Sequence, residues 1–158
     1  MKILAEQPLA EIILRKYEFP QKIKERELVK KLCLSFGLLQ PGDSRDVVVD
    51  VFHVLLKSRK RRKLLPVSEI ERKVIQNRKL HKVTMLGVAS SNIRRQIKRL
   101  RNLLIVDKIK SSYRISEFMP LQQIFSQKIE KVILPNITRR IDEYLQKADD
   151  VFSQQNQK

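Results

Sequence analysis

The sequence predicts a mainly α-helical protein with one small β-hairpin, on three observations. Apolar residues recur every three or four positions along most of the chain, the repeat of a helix that buries one face. Glycine is scarce, 3 of 158 residues, about 2% against a usual ~7%, which suits helices better than turn-rich sheets. Only between 104 and 116 does the pattern change to short alternating runs joined by a turn, as in two antiparallel strands. Apolar residues make up 42% of the chain, enough to build a core rather than remain disordered.

Residues 7–18 read as the first helix. Pro8 suits its first turn, Leu9, Ile13 and Tyr17 recur at a spacing of four, and Pro20 ends or kinks it. A second helix follows over about 21–36, with Ile23, Leu28, Leu32 and Phe36 apolar and Gly37 as its stop. Gln40-Pro41-Gly42-Asp43-Ser44 is a turn. It marks the boundary between an N-terminal helical appendage, 1–40, and a central domain, 41–117.

Asp43 or Ser44 is expected to cap a helix over about 45–61. Val47, Val48, Val49, Val51, Phe52, Val54, Leu55 and Leu56 wrap almost all of it, which puts it at the centre of a core. Its β-branched start, 47–51, would also permit a strand. Leu64-Leu65-Pro66-Val67 suits a short edge strand. Ser68-Glu69-Ile70-Glu71 has the spacing of a capping box and opens a helix to about 80. A connection over 83–89 contains Gly87, and Ser90-Ser91-Asn92 caps the next helix, which runs to about Leu103. Leu104 to Ile109 and Tyr113 to Ser116 form the hairpin, turning at Ser111-Ser112.

The last third, 118–158, is helical again. Leu121, Phe125, Ile129 and Val132 make one stripe, and Pro135 interrupts it and opens a new helix. Ile137, Ile141, Tyr144, Ala148 and Val151 then recur at spacings of 4, 3, 4 and 3, a two-heptad seam that reads as a dimerisation element. Packing of this seam back onto its own domain or onto residues 7–36 is the alternative. The polar end from about 153 is expected to fray.

The net charge is +17, and it is concentrated. Residues 57–101 carry 16 basic and 2 acidic side chains, a net +14, while 1–56 and 102–158 are nearly neutral. Such a footprint points to a nucleic acid rather than to general solubility. The chain has no G-x-G-x-x-G and no G-x-x-x-x-G-K-[ST], so no nucleotide cofactor loop is expected. Cys33 has no second cysteine to pair with and sits between Leu32 and Leu34, as a buried small hydrophobe would. His53 and His81 are 28 residues apart and outside H-E-x-x-H, so no metal site is expected. No stretch approaches the ~20 apolar residues of a membrane span, and the N-terminus does not read as a secretory signal. The expectation is a cytoplasmic, nucleoid-associated protein.

Gly87-Val88-Ala89-Ser90-Ser91-Asn92-Ile93-Arg94-Arg95-Gln96-Ile97-Lys98-Arg99-Leu100, followed by Leu103-Leu104-Ile105-Val106-Asp107-Lys108, resembles the winged helix-turn-helix family of DNA-binding proteins. The likeness covers about 70 residues. It departs from the pattern in a long connection before the recognition helix and a short wing tip at Lys110 to Ser112. The resemblance implies a winged helix-turn-helix core flanked by N- and C-terminal helices.

On the helix of 91–103, Ile93, Ile97, Leu100 and Leu104 share one face. The opposite face is polar and basic and suits a major groove. Asn92, Arg95 and Arg99 are the candidates for reading bases, since an amide matches adenine and a guanidinium matches guanine. Ser90, Ser91, Arg94, Lys98 and Arg101, with Arg59, Lys60, Arg61 and Arg62 from the basic run, are the candidates for phosphate contacts. A solvated basic face without a partner is the bland alternative. The function expected is double-stranded DNA binding by a homodimeric transcriptional regulator, not an enzyme. The other reading is a nucleic-acid scaffold or adaptor in replication or chromosome organisation, without sequence-specific regulation.

Overall fold

The computed structural model describes residues 5–153 and is mainly helical, with a small three-stranded antiparallel sheet. In chain order the elements are α1 (Glu25–Ser35), α2 (Val47–Lys60), β1 (Leu65–Pro66), α3 (Val67–Leu80), α4 (Ser90–Asn102), β2 (Val106–Ile109), β3 (Ser112–Ile115), a 3-10 turn (Ser116–Phe118) and a long final helix, α5. α5 is α-helical over Leu121–Ile124, π-helical over Phe125–Ile133 and α-helical again over Leu134–Ser153.

The valine-rich segment is a helix, and every residue from Val47 to Leu55 is buried. α2 packs against α1, α3, α4 and β3. A helix enclosed in this way gains from apolar residues on all its sides, which overrides the β-propensity of its valines. The sheet order is β1-β3-β2, with Leu65 opposite Tyr113 and Val106 opposite Ile115. Pro66 has no N–H to donate, and β1 lies at the edge where that costs least. The hairpin turns at Lys110-Ser111, one residue earlier than the sequence suggests, with Ile109 opposite Ser112.

The expected helix over 7–18 does not form. Residues 11–20 are non-helical and run across the end of α1. The Arg15 N–H donates to Ser35 O at 2.8 Å, and its guanidinium donates to Leu34 O at 2.9 Å and Leu39 O at 3.2 Å. These bonds tie the segment to carbonyls at and just beyond the end of α1, and tertiary contact wins over local periodicity. α1 itself starts at Glu25, later than expected.

The caps also differ from expectation. α2 follows Asp46 with no side-chain cap, and Asp43 instead accepts from the Arg45 N–H at 2.9 Å. α3 begins at Val67, so Ser68 is already inside the first turn and forms no capping box. Glu71 accepts instead from the Ser90 hydroxyl at 2.6 Å, which ties α3 to the start of α4. α4 follows Ala89 and likewise has no side-chain cap.

Helices α1 to α4 share one way of ending. The N–H of Leu38 donates to Cys33 O, Lys63 to Ser58 O, Val83 to Arg78 O and Ile105 to Leu100 O, at 2.9 to 3.2 Å. This reversal needs one residue in the left-handed region, normally glycine. Only α1 provides one, Gly37 at φ 67; the others use Arg62 (φ 51), Lys82 (φ 56) and Leu104 (φ 63). At Gly37 a Cβ would also stand 2.5 Å from Cβ of Ile13, so the crossing segment requires glycine there.

The stretch 1–40, read as an appendage, adds Val29, Cys33, Leu38 and Leu39 to the same core as α2, α3, α4 and the sheet. From α5, Ile124 joins that core, and Phe125 meets Phe36 with ring centroids 6.0 Å apart. Pro135 does not break α5. It lacks an N–H and would clash in a regular α-helix, and the wider π-helical turns just before it absorb the misfit. They also shift the register, so Ile124 and Ile129 are both buried at a spacing of five while Val132 is exposed. Residues 154–158, most of the end expected to fray, lie outside the described residues. Among the described residues no helix is long and apolar enough to cross a membrane.

Candidate nucleic-acid interface

α4 divides sharply between two faces. Ile93, Ile97 and Leu100 are fully buried, while Ser91, Arg94, Arg95, Lys98, Arg101 and Asn102 are exposed. Arg95 makes no hydrogen bond among the described residues. Arg101 lies beside the hairpin, its guanidinium carbon 5.9 Å from the Tyr113 ring centre, and Lys108 approaches the same ring at 5.7 Å. Helix and hairpin therefore present cations on a shared surface.

The other two residues expected to read bases are engaged within the protein. The Asn92 amide donates to Gly87 O at 2.7 Å, and its oxygen accepts from Gln96 Nε2 at 3.0 Å. Arg99 donates to Gln96 Oε1 at 2.8 Å and to Gly37 O at 3.1 Å, tying α4 to the end of α1. Both are half-buried. Of the residues expected at phosphates, Ser90 donates to Glu71 and Arg59 donates to Met119 O at 3.3 Å, just before α5. Lys60, Arg61 and Arg62 are exposed. The basic run is therefore split between two sides of α2.

A second charged cluster escaped the sequence reading because its members are far apart in the chain. Asp46 and Asp50 lie one helical turn apart at the start of α2, between Arg26 of α1 and Arg78 of α3. Arg26 donates to Asp50 Oδ1 at 3.1 Å and to Asp46 Oδ2 at 3.1 Å. Arg78 donates to Asp46 Oδ1 at 2.9 Å, to Asp50 Oδ2 at 2.6 Å and to Thr84 O at 2.6 Å. Asn77 donates to Asp50 at 2.9 Å and approaches His53 Nδ1 at 3.2 Å, while His53 Nε2 meets Glu25 at 3.3 Å. Asp50 and Arg78 are completely buried.

Burial alone would raise the Asp46 carboxyl, but Arg78 and Arg26 outweigh it and hold the group below its ordinary value. Burial likewise opposes the charge on Arg26, and Asp50 and Asp46 more than restore it. Burial, then Lys57, push His53 below its ordinary value, against a smaller pull from Glu25. The sequence did hold one signal: an aspartate at position 50 inside an apolar helix must find a cation if it is buried.

Cys33 is fully buried, and burial pushes its thiol up to about 12, so it packs as a hydrophobe. His53 and His81 come together with ring centres 5.8 Å apart, but among the described residues no group of three or more His, Cys, Asp or Glu side chains is arranged to hold a metal. On α5, Ile137 is half-buried and Ile141, Tyr144, Ala148 and Val151 are exposed. No residue of Leu134–Ser153 is buried, so the seam does not fold back onto its own core.

Helix and hairpin thus carry a basic surface, on a mainly helical scaffold whose last helical stretch, Leu134–Ser153, has no buried residue. Comparison of the chain with protein-family models, with curated proteins and with solved structures finds no match.

Proposed function

We propose that the chain is a winged helix-turn-helix DNA-binding protein that acts as a homodimeric transcriptional regulator. The observation that carries this is the outer face of α4, where Arg94, Arg95, Lys98 and Arg101 are exposed over a fully buried Ile93-Ile97-Leu100 stripe. The order α2, β1, α3, α4, β2, β3 supports it, because this is the arrangement in which a recognition helix is followed by a wing. In this reading Arg95 reads a base, Arg94, Lys98 and Arg101 hold phosphates, and Lys108 and Lys110 at the hairpin add backbone contacts. Asn92 and Arg99 shape α4 from within rather than touching bases.

The exposed seam of α5 supports the dimer. Leu145 and Phe152, 58% and 65% exposed, widen the apolar stripe of Ile141, Tyr144 and Val151, and a stripe of this kind favours pairing with a second helix. Two copies would offer α4 to successive major-groove faces of one duplex.

Duplex selection with competitor DNA across salt concentrations tests the function. Preference for a two-fold symmetric site supports it, and salt-labile binding without preference favours a scaffold instead. Sedimentation at micromolar concentration tests the dimer, and a monomer that persists there rejects it.

A further inference from the structure

We infer a second, separate anion site in the cleft between α2 and α3, built to take contiguous phosphate groups. Lys57 and Lys60 from the end of α2, Arg61 and Lys63 just past it and Lys73 from α3 line a cleft of about 490 Å³ that Asn77 also lines. Glu25 is the one carboxylate in the lining, and it faces His53. Five cations against one anion in a concave space repel one another and focus a positive field, an arrangement that a bound polyanion relieves.

Cations at a helix C-terminus are favoured by the helix dipole, which accounts for Lys57, Lys60 and Arg61. It does not account for Lys73, which lies mid-way along α3, or for Lys63 beyond the end of α2. One cation is also fixed in advance. Lys57 Nζ donates to Asn77 Oδ1 at 3.0 Å, and Asn77 is itself held by buried Asp50. An ammonium carries three donors, so two remain for a ligand.

The cleft is distinct from the α4 surface. Glu71 bonds Ser90 at the start of α4, and Lys73, two residues on, is turned from it by about 200° around the helix. The cleft therefore opens on the flank of α3 that faces away from α4. Phosphates of a free nucleotide and those of a second nucleic-acid segment share the chemistry this site recognises.

Calorimetric titration of the full chain with inorganic tripolyphosphate tests the site without any DNA, so its outcome is independent of the α4 reading. Saturable binding is expected. The variant carrying Lys60→Gln, Lys63→Gln and Lys73→Gln should bind about tenfold more weakly with no drop in melting temperature, since these side chains make no hydrogen bond among the described residues and their removal relieves repulsion. The variant carrying Arg94→Gln, Arg95→Gln and Lys98→Gln should bind tripolyphosphate like the original chain. Absence of saturable binding, or equal binding by the cleft variant, overturns the proposal. Energy transfer between two differently labelled duplexes then separates the sources. Transfer that the cleft variant loses assigns a second duplex, and displacement of tripolyphosphate by ATP without such transfer assigns a free nucleotide.

Discussion

Two groups of arginines in this chain meet opposite fates. Arg26 and Arg78 are sealed between helices by two aspartates, and Arg78 shows no solvent exposure. Arg94, Arg95 and Arg101 stand on one outer helix face with no carboxylate in reach among the described residues. The side chain is the same, and what differs is whether acidic partners converge on it in three dimensions. The net +14 of residues 57–101 counts Arg78 as free, although its partners Asp46 and Asp50 lie outside that segment. Charge that remains uncompensated after folding is the part that marks a surface for binding.

The contrast can be broken first at the buried group. Asp50→Ala leaves Arg26 and Arg78 short of a partner and should cost about 3–5 kcal/mol in urea unfolding. A cost well under 1 kcal/mol would mean that the cluster does not hold α1 and α3 to α2. At the exposed group, Arg95→Ala should reduce discrimination between preferred and unrelated duplexes by about 1–3 kcal/mol and leave the melting temperature unchanged. Arg99→Ala sharpens the comparison within one helix. It should lower stability by about 1 kcal/mol through the lost bond to Gly37, with sequence preference intact. Arg94→Ala and Lys98→Ala should each flatten the logarithmic salt dependence of duplex binding by about 1, and an unaltered slope removes them from the phosphate contacts.

The smallest effect is a pH dependence. His53 is held neutral, its folded value pushed below the ordinary 6.5. The unfolded chain therefore binds more protons as the pH drops below 6.5, and stability declines through the folded value before levelling off. Asp46 acts in the same direction lower down. Its contribution is complete above the ordinary 3.8 and fades as the pH falls through its lowered folded value. Melting temperatures across this range should show both steps, and His53→Gln should erase only the upper one.

Helical content and the small sheet were legible from 45 to 116 because the signals there are local. An apolar helix such as α2, the stripe Ile93-Ile97-Leu100 and an alternating hairpin each declare themselves within a dozen residues. The segment 7–18 misled because a spacing of four serves two geometries. Leu9, Ile13 and Tyr17 share a face in a helix and equally in an extended chain, whose side chains repeat every two residues. The polar cluster was illegible for another reason. Its closest contacts between helices join residues 20 to 32 positions apart, and a linear charge count cannot pair them. On α4 the sequence separated apolar from polar correctly, but which polar residues turn inward depended on where Gly37 and Gly87 lie in space.

The three helix ends that lack glycine carry a consequence for how this chain can change. A left-handed residue with a side chain costs roughly 1 kcal/mol or more relative to glycine. Glycine at 62 or 82 would therefore make the protein hardier while removing a positive charge. Stability and positive charge pull in opposite directions at these positions. An engineer seeking a thermostable variant would reach for Lys82→Gly before Arg62→Gly, since Arg62 belongs to the cationic run. Laboratory selection for heat tolerance alone would be expected to discharge this surface one helix end at a time.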